Sequence, residues 1–397
     1  MQSHLLLPLA LISAKLLGGV AKRLRIPAVV GEIAAGVVLG PALLGFLPSE
    51  VSTAEGDGVF HVLAQIGLCV LLFKIGLETR LLDFIKVWKP ATITAAAGMA
   101  LPFFVGWGLS LAWGRGPLTA VFVGATLTAT SIGVTASVLS ELRAESTREA
   151  TVILGAAVLD DILGLLLLSA LVGVVTPGIA VAPHVVTALL QAGAFMAGGI
   201  WLGPYAVQLA LMLSRWCRTQ AVLLALAFGY LLLMAHLAEV AGLSMLIGAY
   251  AAGLAFAGHR ERKQLEDGIT PLVELLTPLF FVLIGASISF EGFSVSSSEG
   301  RQAWLELTLL VGLAVAGKLA AGFFLRKEDV NRFAVGSGMI PRGEVGLIFT
   351  QVGLTTAVFS PGQFSVLAMA IVITTVVGPL LLRYFWKPDA AATSESA

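Results

Sequence analysis

The sequence predicts an all-α polytopic membrane protein with about thirteen transmembrane helices. Three observations predict it. The 397 residues are 57% hydrophobic and only 12% charged, with a mean hydropathy of +0.94, whereas soluble domains run near a quarter charged. Apolar runs recur at about the 20-residue length that a bilayer crossing demands. Lysine and arginine concentrate in alternate connections between those runs.

The runs are 4–21, 28–45, 58–78, 86–113, 117–141, 147–173, 183–213, 219–238, 242–257, 269–289, 302–325, 330–356 and 362–386. The first lacks a basic leader. It is followed by Ala21-Lys22-Arg23-Leu24-Arg25 instead of a small-residue cleavage site, so it reads as a retained helix and not as a signal peptide. In the second, Glu32 opens the apolar face and reads as structural or interface-related. In the third, Lys74 precedes Glu78 by one turn, the spacing of an i,i+4 ion pair near the inner surface. The fifth and twelfth runs are interrupted, the sixth carries two adjacent aspartates, and the eleventh carries a lysine well inside it. Residues 387–397 read as a short, polar, disordered tail.

With the N-terminus outside, 18 of the 24 lysines and arginines fall in cytoplasmic connections and only Arg115 and Arg301 fall in external ones. The positive-inside rule therefore favours N-out, C-in and an odd number of spans. The remaining basic residues are Lys15, which can snorkel to the inner surface, and Lys74, Lys318 and Arg342 within helices.

A weak internal repeat relates the two halves. Gly31-Glu32-Ile33-Ala34-Ala35-Gly36 resembles Gly248-Ala249-Tyr250-Ala251-Ala252-Gly253 at an offset of 217, and Ile75-Gly76 resembles Ile284-Gly285 at 209. The helices so matched are the second and the ninth. An odd separation reverses direction in the membrane, so the repeat is an inverted one, the arrangement of secondary transporters with a site at the midplane.

The two interrupted runs correspond in that repeat. One carries Leu127-Thr128-Ala129-Thr130-Ser131-Ile132-Gly133-Val134-Thr135; the other carries Gly336-Ser337-Gly338-Met339-Ile340-Pro341-Arg342-Gly343-Glu344-Val345-Gly346. Proline and paired glycines remove or weaken helical hydrogen bonds. Freed carbonyls and hydroxyls can then coordinate a cation, and non-helical backbone at membrane depth survives only where it is buried in protein or lines a cavity. The plainer reading is a proline kink with threonines bonded back to their own helix; the charges Arg342 and Glu344 weigh against it. Those two neutralise each other or the ends of the broken helix.

Asp160 and Asp161 share one apolar run, and each charge near the bilayer centre costs about 2.5–3.5 kcal/mol on insertion scales. Successive helical residues differ by about 100° in direction, so the two carboxylates face different ways. One can line an aqueous cavity while the other pairs with Lys318, whose glycine and alanine neighbours allow close helix approach. Helix geometry alone leaves open which is which. A small hard cation and a proton competing for one carboxylate, with only loaded forms crossing, amounts to cation/proton exchange. A second proton is carried if cation binding breaks the Asp–Lys pair and the lysine deprotonates.

Other classes fit less well. Zero net charge gives no case for nucleic-acid binding. Two cysteines 148 residues apart and five scattered histidines give no disulfide, metal site or cofactor. An intramembrane aspartyl protease needs its two carboxylates to meet from separate helices, and a passive cation channel has no need of buried ionisable groups.

These residues resemble bacterial sodium/proton antiporters of the cation:proton antiporter-2 superfamily, most closely the NapA type, over about 4–386. The motifs are Pro27-Ala28-Val29-Val30-Gly31-Glu32 with Gly40-Pro41; Gly76-Leu77-Glu78-Thr79-Arg80; Ala129-Thr130-Ser131-Ile132-Gly133; Gly155-Ala156-Ala157-Val158-Leu159-Asp160-Asp161; Gly317-Lys318; and Pro341-Arg342-Gly343-Glu344-Val345-Gly346-Leu347-Ile348. The resemblance implies a thirteen-helix homodimer in the bacterial cytoplasmic membrane with two crossed, unwound helices in a mobile core. That core, roughly 58–173 and 269–356, moves as an elevator against a scaffold of roughly 4–45, 183–257 and 362–386, all within one transporter domain, 1–386. By the match, Asp161 is the main ion- and proton-binding carboxylate. Asp160 is its neighbour, paired with Lys318 until Na+ arrives. Thr130 and Ser131 are further Na+ ligands, and Pro341, Arg342 and Glu344 form the charged break. The Asp-Asp-Lys set resembles electrogenic members that exchange Na+ or Li+ for two H+; K+/H+ exchange by the same machinery is the alternative. Lys74 departs from the apolar residue expected there.

Overall fold

The computed structural model describes residues 3–47, 58–79, 86–175, 181–217, 220–287, 293, 297–325 and 330–386. The predicted tail and Arg80 of the third-helix motif lie outside the described residues. Helices alone make up the regular structure there: α1 (Ser3–Arg23), α2 (Ala28–Leu39), α3 (Val59–Glu78), α4 (Trp88–Ala112), α5 (Pro117–Thr126), α6 (Ile132–Glu141), α7 (Arg148–Val175), α8 (Val181–Cys217), α9 (Gln220–Val240), α10 (Met245–Phe256), α11 (Arg262–Ala286), α12 (Ser298–Gly322), α13 (Arg332–Gly338), α14 (Glu344–Thr355) and α15 (Pro361–Phe385). Each of the thirteen predicted segments carries helix, and both interrupted ones are split, into α5/α6 and α13/α14. Seven helices are long and apolar enough to cross a bilayer. An eighth, α8, bends by 40° between Gly199 and Trp201, where Pro204 withholds its amide from the carbonyl four residues back.

The internal repeat is expressed as matched close approaches. A Cβ at Gly31 would stand 2.2 Å from the Leu17 carbonyl oxygen, and a Cβ at Gly248 would stand 2.2 Å from that of Met234. Both residues of the second pair lie 217 positions after those of the first. Likewise a Cβ at Gly36 would meet the Val282 carbonyl oxygen at 2.0 Å, and one at Gly253 that of Phe73 at 2.0 Å. Thus α2 crosses α11 at Gly36 and Gly285 as α10 crosses α3 at Gly253 and Gly76. Any side chain at these points forces the backbones apart, which is how small residues set helix packing where lipid supplies no hydrophobic drive. The repeat runs α1–α7 and α9–α15, with α8 between them.

Packing divides the helices into two groups. In the first, α1, α2, α3, α9, α10 and α11 pack on one another, chiefly α3 on α10 and α11. In the second, α4–α7 and α12–α15 do so, with α4 against α5, α7 and α12. The division expected from sequence put α3 and α11 with the transport core and α15 with the scaffold, whereas packing joins α3 and α11 to α1, α2, α9 and α10, and α15 to α4–α7 and α12–α14. The glycine crossings decide the packing. They bind α3 to α10 and α11 to α2, and Gly378 of α15 lies so close to Pro341 that a Cβ there would stand 2.5 Å from its ring. The groups meet along α2, α3 and α6, where Gly133 packs against Leu68.

Candidate functional site

The site forms where the two broken helices cross. α5 stops at Thr126 because hydroxyls take over its last carbonyls: Thr126 Oγ1 donates to Phe122 O at 2.9 Å and Thr128 Oγ1 to Ala125 O at 2.7 Å. Ser131 then caps α6, accepting from Val134 N at 3.4 Å. In the other crossing helix Asn331 caps α13, accepting from Ala334 N at 3.1 Å. Pro341, which has no amide hydrogen and disfavours helix in the residue before it, keeps 340–343 out of helix until α14 begins. The two non-helical segments bond directly: Ser131 N donates to Pro341 O at 2.7 Å.

Two helix ends buried in this way leave carbonyls that need partners, at about 1–3 kcal/mol for each one unmet. The two breaks are served differently. At the end of α5, Lys318 Nζ donates to Thr128 O at 2.6 Å, and Arg342 Nη1 donates to Leu127 O and, at 3.4 Å, to Ala129 O. Two fully buried cations thus sit at the negative end of a half-helix, where the helix dipole favours them. At the end of α13 the partners are neutral: Thr135 Oγ1 donates to Gly338 O at 2.7 Å, and Thr130 Oγ1 lies 3.2 Å from Met339 O. The sequence reading had Arg342 and Glu344 neutralising each other or the ends of the broken helix; Arg342 reaches the carbonyls at the end of α5. The Glu344 side chain lies outside the described residues.

The two aspartates diverge as helix geometry requires. Asp160 is fully buried, with Oδ2 2.9 Å from Lys318 Nζ and 2.5 Å from Thr130 Oγ1; among the described residues its Oδ1 has no hydrogen-bond partner. Lys318 spends all three of its donors here, since Thr130 Oγ1 lies 2.7 Å from Nζ. Gly98 of α4 stands against it; a Cβ there would lie 3.6 Å from Nζ, an ordinary contact. Asp161, almost fully buried, lines a small cavity with Thr130, Ser131, Ile132, Gly343, Val345 and Leu246. Thr130 therefore touches both carboxylates' surroundings: it bonds Asp160 and borders the cavity of Asp161. Every lining residue but one belongs to the second packing group. Leu246 comes from α10 in the first, so the cavity lies on the boundary between the groups.

All the predicted site residues whose side chains are described converge here: Asp160, Asp161, Thr130, Ser131, Lys318, Pro341 and Arg342. Sequence reasoning missed Thr375 and Leu246, and held Thr135 only as the end of the interrupted stretch. Thr375 Oγ1 donates to the Arg342 carbonyl and, at 2.7 Å, to Ile371 O. Its signal was a Thr374-Thr375 pair inside an apolar run. Leu246 had none. Lys74 and Glu78 form the expected pair at 3.9 Å.

Comparison with known proteins agrees with this geometry. The family model described as sodium/hydrogen exchanger, transmembrane, matches residues 9–387. The high-affinity Na+/H+ antiporter NhaS3 of Synechocystis sp. is 34% identical, over 94% of this chain and 87% of its own. The Na+/H+-K+ antiporter GerN of Bacillus cereus is 32% identical over 96% of both chains. Among solved structures, the sodium proton antiporter MjNhaP1 of Methanocaldococcus jannaschii shares the fold, with a TM-score of 0.67 over 95% of this chain and 94% of its own at 18% identity. A broken-helix crossing with an Asp–Lys pair, set in a repeated all-helical membrane fold and matched over residues 9–387, makes this chain a member of the sodium/hydrogen exchanger family.

Proposed function

We propose that the protein exchanges Na+ or Li+ for H+ across the bacterial cytoplasmic membrane. One observation carries the reading. Asp160 is locked by Lys318 and Thr130, while its neighbour Asp161 borders a cavity lined by hydroxyl oxygens at the meeting of two helix groups. Asp161 supplies the carboxylate for which cation and proton compete; Thr130 and Ser131 add oxygen ligands, and Asp160 joins when Na+ draws it from Lys318. Hard cations take such oxygen ligands.

Charge bookkeeping gives the stoichiometry. With Asp161 protonated and Asp160, Lys318 and Arg342 charged, the four groups sum to +1. Binding one Na+ while Asp161 and Lys318 each lose a proton brings the sum to zero. One Na+ then exchanges for two H+, and the cycle moves charge. Lys318 is the source of the second proton because Na+ takes its partner away.

The group containing both broken helices, α4–α7 with α12–α15, carries the ion as an elevator against α1–α3 and α9–α11, and a homodimer holds that scaffold still. The basic connections favour an N-terminus outside and thirteen spans. Glu344, at the first turn of α14, belongs to the charged break of that moving group. A second reading, K+/H+ exchange, is favoured by the name of the Bacillus cereus relative, which includes K+. Proteoliposomes with an imposed pH gradient decide between them. Addition of Na+ or Li+ should dissipate the gradient and K+ should not; dissipation by K+ alone would establish the second reading, and no cation response would refute both.

A further inference from the structure

We propose that Glu141 is a latch that closes the cytoplasmic side of the boundary between the two helix groups and so sets how often the ion cavity opens to the cytoplasm. The proposal rests on the elevator reading above. Glu141 is the last residue of α6, in the group that carries the site. Its Oε2 accepts from the Ala28 amide at 2.7 Å, across 113 residues of sequence. Ala28 is the first residue of α2 in the opposite group, and its N-cap, Pro27, supplies no side-chain bond. The amide donors at a helix start need acceptors, and here one acceptor comes from the other body. The bond is charge-assisted and sits at the positive end of the α2 dipole.

The second oxygen is held on its own side. Arg383 of α15 donates to Glu141 Oε1 at 3.2 Å. The carboxylate is therefore positioned by the carrying group and presented to the scaffold. Glu141 is 19% exposed and Arg383 33%, so water weakens the contact without replacing it. The neighbouring charges fix its side of the membrane. Lys22, Arg23 and Arg25 precede Ala28, Arg143 and Arg148 follow Glu141, and Arg383 is near the described end of the chain. All belong to the basic, cytoplasmic connections. Sliding α6 past α2 must break the Ala28 bond, whereas motion confined within either group leaves it intact. Rupture of one charge-assisted hydrogen bond shifts a two-state equilibrium by about ten- to hundredfold.

The test uses the full chain in sealed membrane vesicles, with Cys69 and Cys217 replaced by serine and Leu246→Cys as the reporter that lines the cavity. A membrane-impermeant maleimide is applied from either face. Glu141→Ala should label about tenfold faster from the cytoplasmic face and no faster from the outer face. An unchanged rate, or equal acceleration from both faces, overturns the latch; the latter is what local unfolding produces. Glu141→Gln keeps an acceptor for the Ala28 amide and covers the case in which alanine does not fold. It should accelerate cytoplasmic labelling less than alanine does, and a wild-type rate overturns the proposal. Sodium-driven proton movement is scored separately on wild type, so loss of the exchange reading is distinguishable from loss of the latch.

Discussion

Lys318→Gln tests the electrostatic design of the site most severely. The lysine is fully buried and makes three short contacts, at 2.6 Å to Thr128 O, 2.7 Å to Thr130 Oγ1 and 2.9 Å to Asp160 Oδ2. Removing it leaves Asp160 as a buried carboxylate with Thr130 on one oxygen and nothing on the other. Breaking a buried pair by deleting one partner costs about 3–5 kcal/mol. The loss is smaller in acid, because a protonated Asp160 leaves no uncompensated charge. Asp160→Asn alone strands the lysine in the same way. The double variant strands neither, so the two effects should couple by about 2 kcal/mol or more. Thermal unfolding of the four proteins in detergent, followed by tryptophan fluorescence, measures the cycle. Additivity within about 0.5 kcal/mol would refute the pair as a stability element.

Other expectations follow from the same contacts. Thr130→Val removes a cavity oxygen and the Asp160 bond together, and should raise the half-saturating Na+ concentration in liposomes about tenfold, the equivalent of one lost hydrogen bond; an unchanged value would exclude Thr130 from the ion site. Arg342→Lys keeps the charge but loses the guanidinium whose Nη1 serves the Leu127 and Ala129 carbonyls beyond the end of α5. It should cost about 1–3 kcal/mol in the unfolding assay, and wild-type stability would count against that capping role. Gly285→Ala puts a Cβ 2.0 Å from the Ile33 carbonyl oxygen and should abolish folded protein on size exclusion. A wild-type yield there would show that the α2–α11 crossing can open.

Much of the fold was legible because a membrane imposes length and polarity rules on every span. The breaks at 127–131 and 339–343 showed through Pro341, the paired glycines and the threonine run, since each weakens helix for a local reason. Lys318 was legible as the partner of one aspartate because a lone charge at that depth has so few alternatives; that the aspartate is Asp160 came from the family resemblance alone. The grouping of α3, α11 and α15 was not legible. It depends on which glycine meets which backbone across more than a hundred residues, and a glycine looks the same in sequence whether it sits at a crossing or faces open space, as Gly19 and Gly312 do. The carbonyl partners of Arg342 were hidden for a related reason. Its neighbour in sequence is Glu344, but its buried carbonyl partners come from a segment more than two hundred positions earlier.

The central claim is that cation and proton compete for Asp161. The most direct measurement is proton release from purified protein in weakly buffered detergent solution on addition of Na+. The account predicts acidification that saturates with Na+ and is lost in Asp161→Asn, with the variant still folded. Proton release from Asp161→Asn equal to that of the wild type would contradict it.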